Sequence, residues 1–143
     1  MIVYRIGSLI LKKYKLNFFF TISNSFSGQY SNTFDVKLRI MDYKSIIAAG
    51  FQSIMHIHTL TEEVKLTNLI CKIDLKTGEK QRFKKGVAKF ISNGDLAIVR
   101  FESAGNICVE EFSKFERMGR LTLRDEGKTI AMGTIAKIVH KDD

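Results

Sequence analysis

The chain has 143 residues, 45% of them hydrophobic, which suits one domain with its own core. Its 23 Lys and Arg outnumber 15 Asp and Glu, for a formal net charge of +8. Such a surface favours an acidic partner (nucleic acid, an acidic protein face or anionic lipid) without selecting among them. Charges interrupt the apolar stretches of the first residues well short of the roughly 20 apolar residues of a membrane helix.

Residues 1–32 differ in character from the rest. Ile2, Ile6, Leu9 and Ile10 can share one helical face, with Arg5, Lys12, Lys13 and Lys15 around it. Leu16 to Ile22 is a short apolar run, and Ser23 to Asn32 is rich in Ser, Asn and Gly. A secretory signal has a longer apolar core and a small-residue cleavage site. The expectation is a poorly ordered leader or short helix and a linker over 1–32, with one domain over 33–143.

From Phe34 onward the pattern is that of short strands. Val36, Leu38 and Ile40 alternate with charged residues, as in a half-buried strand. Ala48-Ala49-Gly50 reads as a turn, Ser53 to Leu60 as a strand, and Val64 to Asp74 as a longer one. Lys76-Thr77-Gly78-Glu79 is a turn and Lys80 to Lys89 a basic connection. Leu96 to Phe101 and Ile107 to Glu110 read as two strands separated by Ser103-Ala104-Gly105-Asn106. Gly119 to Arg124 and Thr129 to Val139 follow, joined by a tight Asp125-Glu126-Gly127-Lys128 turn. About seven strands with almost no helical periodicity indicate an all-β barrel or sandwich, and closure favours the barrel. The chain has no proline, so Gly, Asn and Asp supply the turn geometry.

Few residue groups suggest chemistry. Gly127-Lys128-Thr129 resembles the tail of a phosphate-binding loop, but Thr122 stands where that loop needs its first glycine. His56 and His58, two apart in a strand, point to one face, yet no third ligand is linked to them. Glu62-Glu63 and Glu110-Glu111 are adjacent, so each pair splits across a strand. Cys71 and Cys108 sit among apolar residues and read as buried thiols, with a disulfide left open by their spacing. The run from Lys76 to Lys89 holds six basic residues and one Glu. There Lys80, Arg82, Lys84 and Lys85 are candidates for RNA or ribosome contact, with Phe83 placed to stack a base. Catalytic, metal and cofactor residues are expected to be none, which points to binding.

Two segments are specific enough to suggest a family. Lys44 to Val64 (KSIIAAGFQSIMHIHTLTEEV) and Gly119 to Ala131 (GRLTLRDEGKTIA) closely resemble the third domain of the GTP-binding subunit of the eukaryotic peptide chain release factor. Lys76–Lys80, Arg82-Phe83, Ala104–Cys108 and Phe115–Gly119 fall in the family's order. The resemblance runs from about Thr33 to the C-terminus. Alpha-type elongation factors and the ribosome-rescue GTPase share the barrel but match the last motif less closely.

The resemblance implies a six-stranded antiparallel Greek-key β-barrel of the elongation factor Tu C-terminal type. It implies a cytoplasmic role in translation termination, docking the stop-codon-recognising release factor subunit, with the ribosome in context and neither membrane nor DNA as partner. Carried over by position, the partner-binding residues are Gly119, Arg120, Leu121, Thr122, Leu123, Arg124 and Asp125. Leu121 stands where the family usually has Phe. By alternation Leu121 and Leu123 face the core while Arg120, Thr122 and Arg124 face outward. GTP and magnesium belong to the full-length family, whose GTPase motifs these residues lack, so no catalysis is expected of this chain. A basic module binding RNA or the ribosome through 76–89 is the alternative.

Overall fold

The computed structural model describes residues 29–84 and 88–140. In chain order the elements are β1 (Gln29–Ile40), β2 (Ile47–Ala48), β3 (Gln52–Ile57), β4 (Leu60–Ile73) and β5 (Lys80–Arg82). There follow β6 (Phe90–Ile91), β7 (Leu96–Val109), a four-residue helix α1 (Glu116–Gly119), β8 (Arg120–Asp125) and β9 (Lys128–Val139). The strands β3-β8-β9-β1-β7-β4 lie side by side, and β3 also pairs with β4, which closes the sheet. Every pairing is antiparallel. The result is the expected closed six-stranded barrel, with β1 seated between β7 and β9. β5 extends the sheet beyond β4, and β2 and β6 form a separate two-stranded pair.

Period-2 alternation builds the interior. Phe34, Val36, Leu38 and Ile40 of β1 are fully buried, as are Ala97, Val99 and Phe101 of β7. Phe34 lies directly opposite Phe101 and Val36 opposite Val99. Burying each of these large side chains is worth about 1.5–3 kcal/mol relative to exposure. Met55 and Ile57 of β3, Leu121 and Leu123 of β8, and Ile135 and Ile138 of β9 complete the core. Register shifts in β4 at Leu66/Asn68 and Leu69/Cys71 bend that strand, so the buried Leu66 and Leu69 are three apart. Both cysteines are buried and free. Burial, followed by the nearby Glu110 charge, pushes the Cys108 thiol up to about 12, so it stays protonated at neutral pH.

The structure differs from the expected elements in several places, four of which bear on the site and its surroundings. The leader over 1–28 lies outside the described residues, but strand pairing begins at Gln29, ahead of the expected boundary at 33. The polar residues there are satisfied within the sheet: Ser31 Oγ donates to the Val139 carbonyl at 2.6 Å and accepts from the Thr33 N–H at 3.1 Å. Ser103 to Asn106 is no break between strands. β7 runs through it, because β1 advances only from Ser31 to Thr33 while β7 advances from Ile107 back to Glu102. The surplus is a bulge held by Ser103 Oγ donating to the Gly105 carbonyl at 2.6 Å. Next, β3 ends at Ile57 rather than Leu60. His58 takes a left-handed φ of 43° in the turn to β4, so its ring does not share a strand face with that of His56. Last, the basic connection contains β5, paired to β4 through Arg82 opposite Cys71.

Cross-strand ion pairs fix the outer surface. Arg100 donates to both oxygens of the buried Asp35, at 2.7 and 3.1 Å. The hydrogen bond that Arg100 donates to Asp35 raises its pKa against the opposing effect of burial. Lys72 meets Asp95 at 2.8 Å. There burial pushes the Asp95 carboxyl up, but Lys72 and Ser92 pull it down further, and it lies below its usual value.

Two substitutions test the packing in opposite directions. A Cβ on Gly133 would stand 2.8 Å from Val36 Cγ1 and 2.9 Å from the Lys37 carbonyl oxygen. Gly133→Ala is expected to destabilise by about 1–3 kcal/mol, read as a fall in thermal midpoint. Ser53 Oγ is buried without a partner, so Ser53→Ala is expected to leave the midpoint unchanged or raise it.

Candidate functional site

The candidate site is the outer face of β8 and its neighbours. The chain enters β8 through α1 and a backbone crossing of Phe112. A Cβ on Gly119 would lie 2.4 Å from Phe112 Cα and 2.5 Å from its nitrogen, so only glycine fits. Leu121 and Leu123 are buried at 1% and 0% exposure. Alternation then sends Arg120, Thr122 and Arg124 outward, with Arg120 and Arg124 exposed and Thr122 half-buried. Of the seven expected partner-binding residues, Gly119, Leu121 and Leu123 therefore face the interior and position the strand. Arg120, Thr122 and Arg124 remain on the surface, and Asp125 is half-buried at the strand end.

β8 runs into β9 through a two-residue turn. Asp125 pairs with Lys128, and Glu126 and Gly127 take φ of 48° and 78°. Two left-handed residues in succession match the twist of an antiparallel hairpin. Lys128 forms an ion pair with Asp42. The hydrogen bond and charge of Lys128 hold the Asp42 carboxyl below its usual value. Gly127-Lys128-Thr129 thus lies at a hairpin turn, with its lysine paired to Asp42.

Register places further side chains beside β8. His56 of β3 lies opposite Thr122, which lies opposite Met132 of β9, which lies opposite Arg39 of β1. Ile54 lies opposite Arg124, and Thr134 opposite Arg120. Ile54 and Met132 are 40% and 41% exposed, so two apolar side chains flank the arginines. The two arginines differ in setting. Arg124 donates to the Gly127 carbonyl at 2.6 Å and borders a groove of about 350 Å³ lined also by Glu63, Asp125 and Glu126. Arg120 lies over the Phe112 ring, 5.6 Å from its centre, a cation–π contact that orients the guanidinium without neutralising it.

The histidines do not converge. His56 Nδ1 lies 3.4 Å from Thr61 Oγ1, whereas His58 Nε2 donates to the Cys108 carbonyl at 3.3 Å. Among the described residues no group of three or more His, Cys, Asp or Glu is placed to hold a metal ion. In the basic segment Lys80, Arg82 and Lys84 are exposed, while Lys85 lies outside the described residues. Phe83, expected to stack a base, is half-buried with part of its surface against the core. Among the described residues no helix is long and apolar enough to cross a membrane.

Residues 33–136 match the model of the GTP-eEF1A C-terminal domain-like family. The chain belongs to this family. It is 39% identical over 106 residues to the eukaryotic peptide chain release factor GTP-binding subunit of Zygosaccharomyces rouxii, covering 74% of this chain and 16% of that protein. Identity to the Kluyveromyces lactis counterpart is 42% over 106 residues, covering 74% and 15%. Elongation factor 1-alpha of Desulfurococcus mucosus is 34% identical over 108 residues, covering 76% and 24%. The crystal structure of sup35 complexed with GDP superposes with a TM-score of 0.73 at 36% identity, covering 82% of this chain and 28% of that one. The chain thus spans about a sixth of the length of the release factor subunits it matches.

The turn at His58 has a pH consequence. Burial lowers the His58 pKa from 6.5, partly offset by its bond to Cys108. The unfolded chain then binds the proton more readily than the folded one, so stability present above about pH 6.5 falls as pH drops below it. Thermal midpoints are expected to decline between pH 7 and 5. His58→Asn, which tolerates the left-handed backbone, is expected to flatten that decline.

Proposed function

We propose that this chain is a partner-binding barrel of translation termination, acting in the cytoplasm and docking the stop-codon-recognising release factor subunit, with no catalytic residue of its own. The observation that carries the reading is β8: two buried leucines anchor it while Arg120, Thr122 and Arg124 stand outward between the exposed Ile54 and Met132. Exposed arginines beside exposed apolar side chains combine two features of interfaces, where Arg and apolar residues are enriched. The higher identity to release factor subunits than to elongation factor 1-alpha supports this assignment.

A second reading rests on the exposed Lys80, Arg82 and Lys84, which suit RNA or ribosomal contact. Phe83 beside them is half-buried, so part of its ring is committed to the core.

Titration calorimetry with the stop-codon-recognising subunit at low salt is expected to give saturable binding. Arg120→Ala is expected to weaken it by about 2–5 kcal/mol if the contact is desolvated in the complex, with the thermal midpoint unchanged. Failure of the wild-type chain to bind at low salt would overturn the reading. Salt-dependent RNA binding that survives substitution of Arg120 and Arg124 would favour the second.

A further inference from the structure

The outer face of β8 is electrostatically lopsided, and register shows how. Thr134 of β9 lies opposite Arg120 on one side and opposite Lys37 of β1 on the other. With adjacent antiparallel strands roughly 4.8 Å apart, the two cations start about 10 Å apart with the threonine midway. Lys37 and Arg120 are exposed. Neither has an ion pair or side-chain hydrogen bond among the described residues, whereas Lys72, Arg100, Lys114 and Lys128 each meet a carboxylate. Lys37, Leu96, Arg120, Met132, Gly133 and Thr134 line a shallow pocket of about 330 Å³, and no acidic residue is among them. At the other end of β8 the cation Arg124 is bonded to Gly127 and faces Glu63, Asp125 and Glu126.

We propose that Lys37, Thr134 and Arg120 form a subsite for one carboxylate side chain of a protein partner, an inference that rests on the docking role described above. Two cations and a hydroxyl in one row can meet the oxygens of a carboxylate with charge-assisted bonds. Like charges this close repel, so an acid between them relieves a cost present in the free barrel. Arg120 is held in direction by Phe112, which reduces the ordering needed on binding. The walls select the kind of partner. Leu96 and Met132 suit an Asp or Glu set among apolar side chains better than the hydrated backbone of a nucleic acid. Lys37 lies in a strand remote in sequence from the Gly119–Asp125 motif and Thr134 in the strand that follows it, so the subsite adds specificity residues to the motif.

The test is calorimetry of the full chain with the stop-codon-recognising subunit, comparing Lys37→Ala, Arg120→Ala, the double variant and Lys65→Ala. Lys65 is an exposed β4 cation outside the pocket and controls for the loss of one charge. Lys37→Ala is expected to weaken binding about tenfold and Arg120→Ala about thirtyfold or more. The double variant should lose clearly less than the product of the two, because both residues serve one carboxylate. Lys65→Ala should stay within about twofold of wild type, as an exposed rim charge does. Lys37→Ala should leave the thermal midpoint unchanged or raised, which separates recognition from folding. Independent losses for Lys37 and Arg120, or an equal loss for Lys65→Ala, would overturn the subsite in favour of diffuse attraction. Polyuridine binding that falls in Lys37→Ala while subunit binding holds would assign the pocket to phosphate and overturn it too. A wild-type chain that does not bind the subunit would remove the docking reading itself, a result distinct from binding without coupling.

Discussion

Closure of the sheet through β3 is the constraint on which the rest depends. β3 is short, yet it is hydrogen-bonded to β4 on one side and β8 on the other. With those two seams made, each barrel strand has a partner on both sides, and each has one dry face and one wet one. Leu121 and Leu123 are dry because Met55 and Ile57 of β3 lie opposite them in register. The arginines of β8 are wet for the same reason. Which side chains stand on the outside is thus a by-product of packing on the inside.

This coupling explains why parts of the fold were legible in the sequence. Val36-Leu38-Ile40 and Leu121-Leu123 alternate cleanly, and a period of two has only one reading when one face is buried. Glu126-Gly127 announced its turn because two left-handed residues in succession favour glycine. Other parts were hidden for physical reasons. Ser103-Ala104-Gly105-Asn106 has turn composition, but a strand paired on both sides absorbs surplus residues as a bulge rather than breaking. His58 adopts a left-handed backbone that its neighbours do not announce. Ser31 looks like linker until its bonds across the sheet are seen. Phe83 sits in a basic run that describes solvent, while part of its ring follows the core.

The same division holds for the candidate site. Arg120, Thr122 and Arg124 could be assigned to the outer face from local alternation. That Lys37 joins Thr134 and Arg120 depends on pairing between strands far apart in sequence, while Arg124 is bonded within its own hairpin. Local pattern gives direction, and register gives company. The surface ion pairs gain meaning mainly by elimination, since exposed pairs contribute little to stability. They show which cations are already engaged and which are left for a partner.

The overhanging strand β5 carries one more consequence. A barrel ordinarily hides its edges, but here β4 outruns β3 and its far end carries β5, whose three residues are all exposed. A bare edge invites the same edge of another copy to add to the sheet. Lys80 and Arg82 give that edge a like-charged rim, so two copies approaching there repel before backbone bonds can form. The basic run thus opposes edge-to-edge pairing at this short strand, which lies outside the closed barrel sheet.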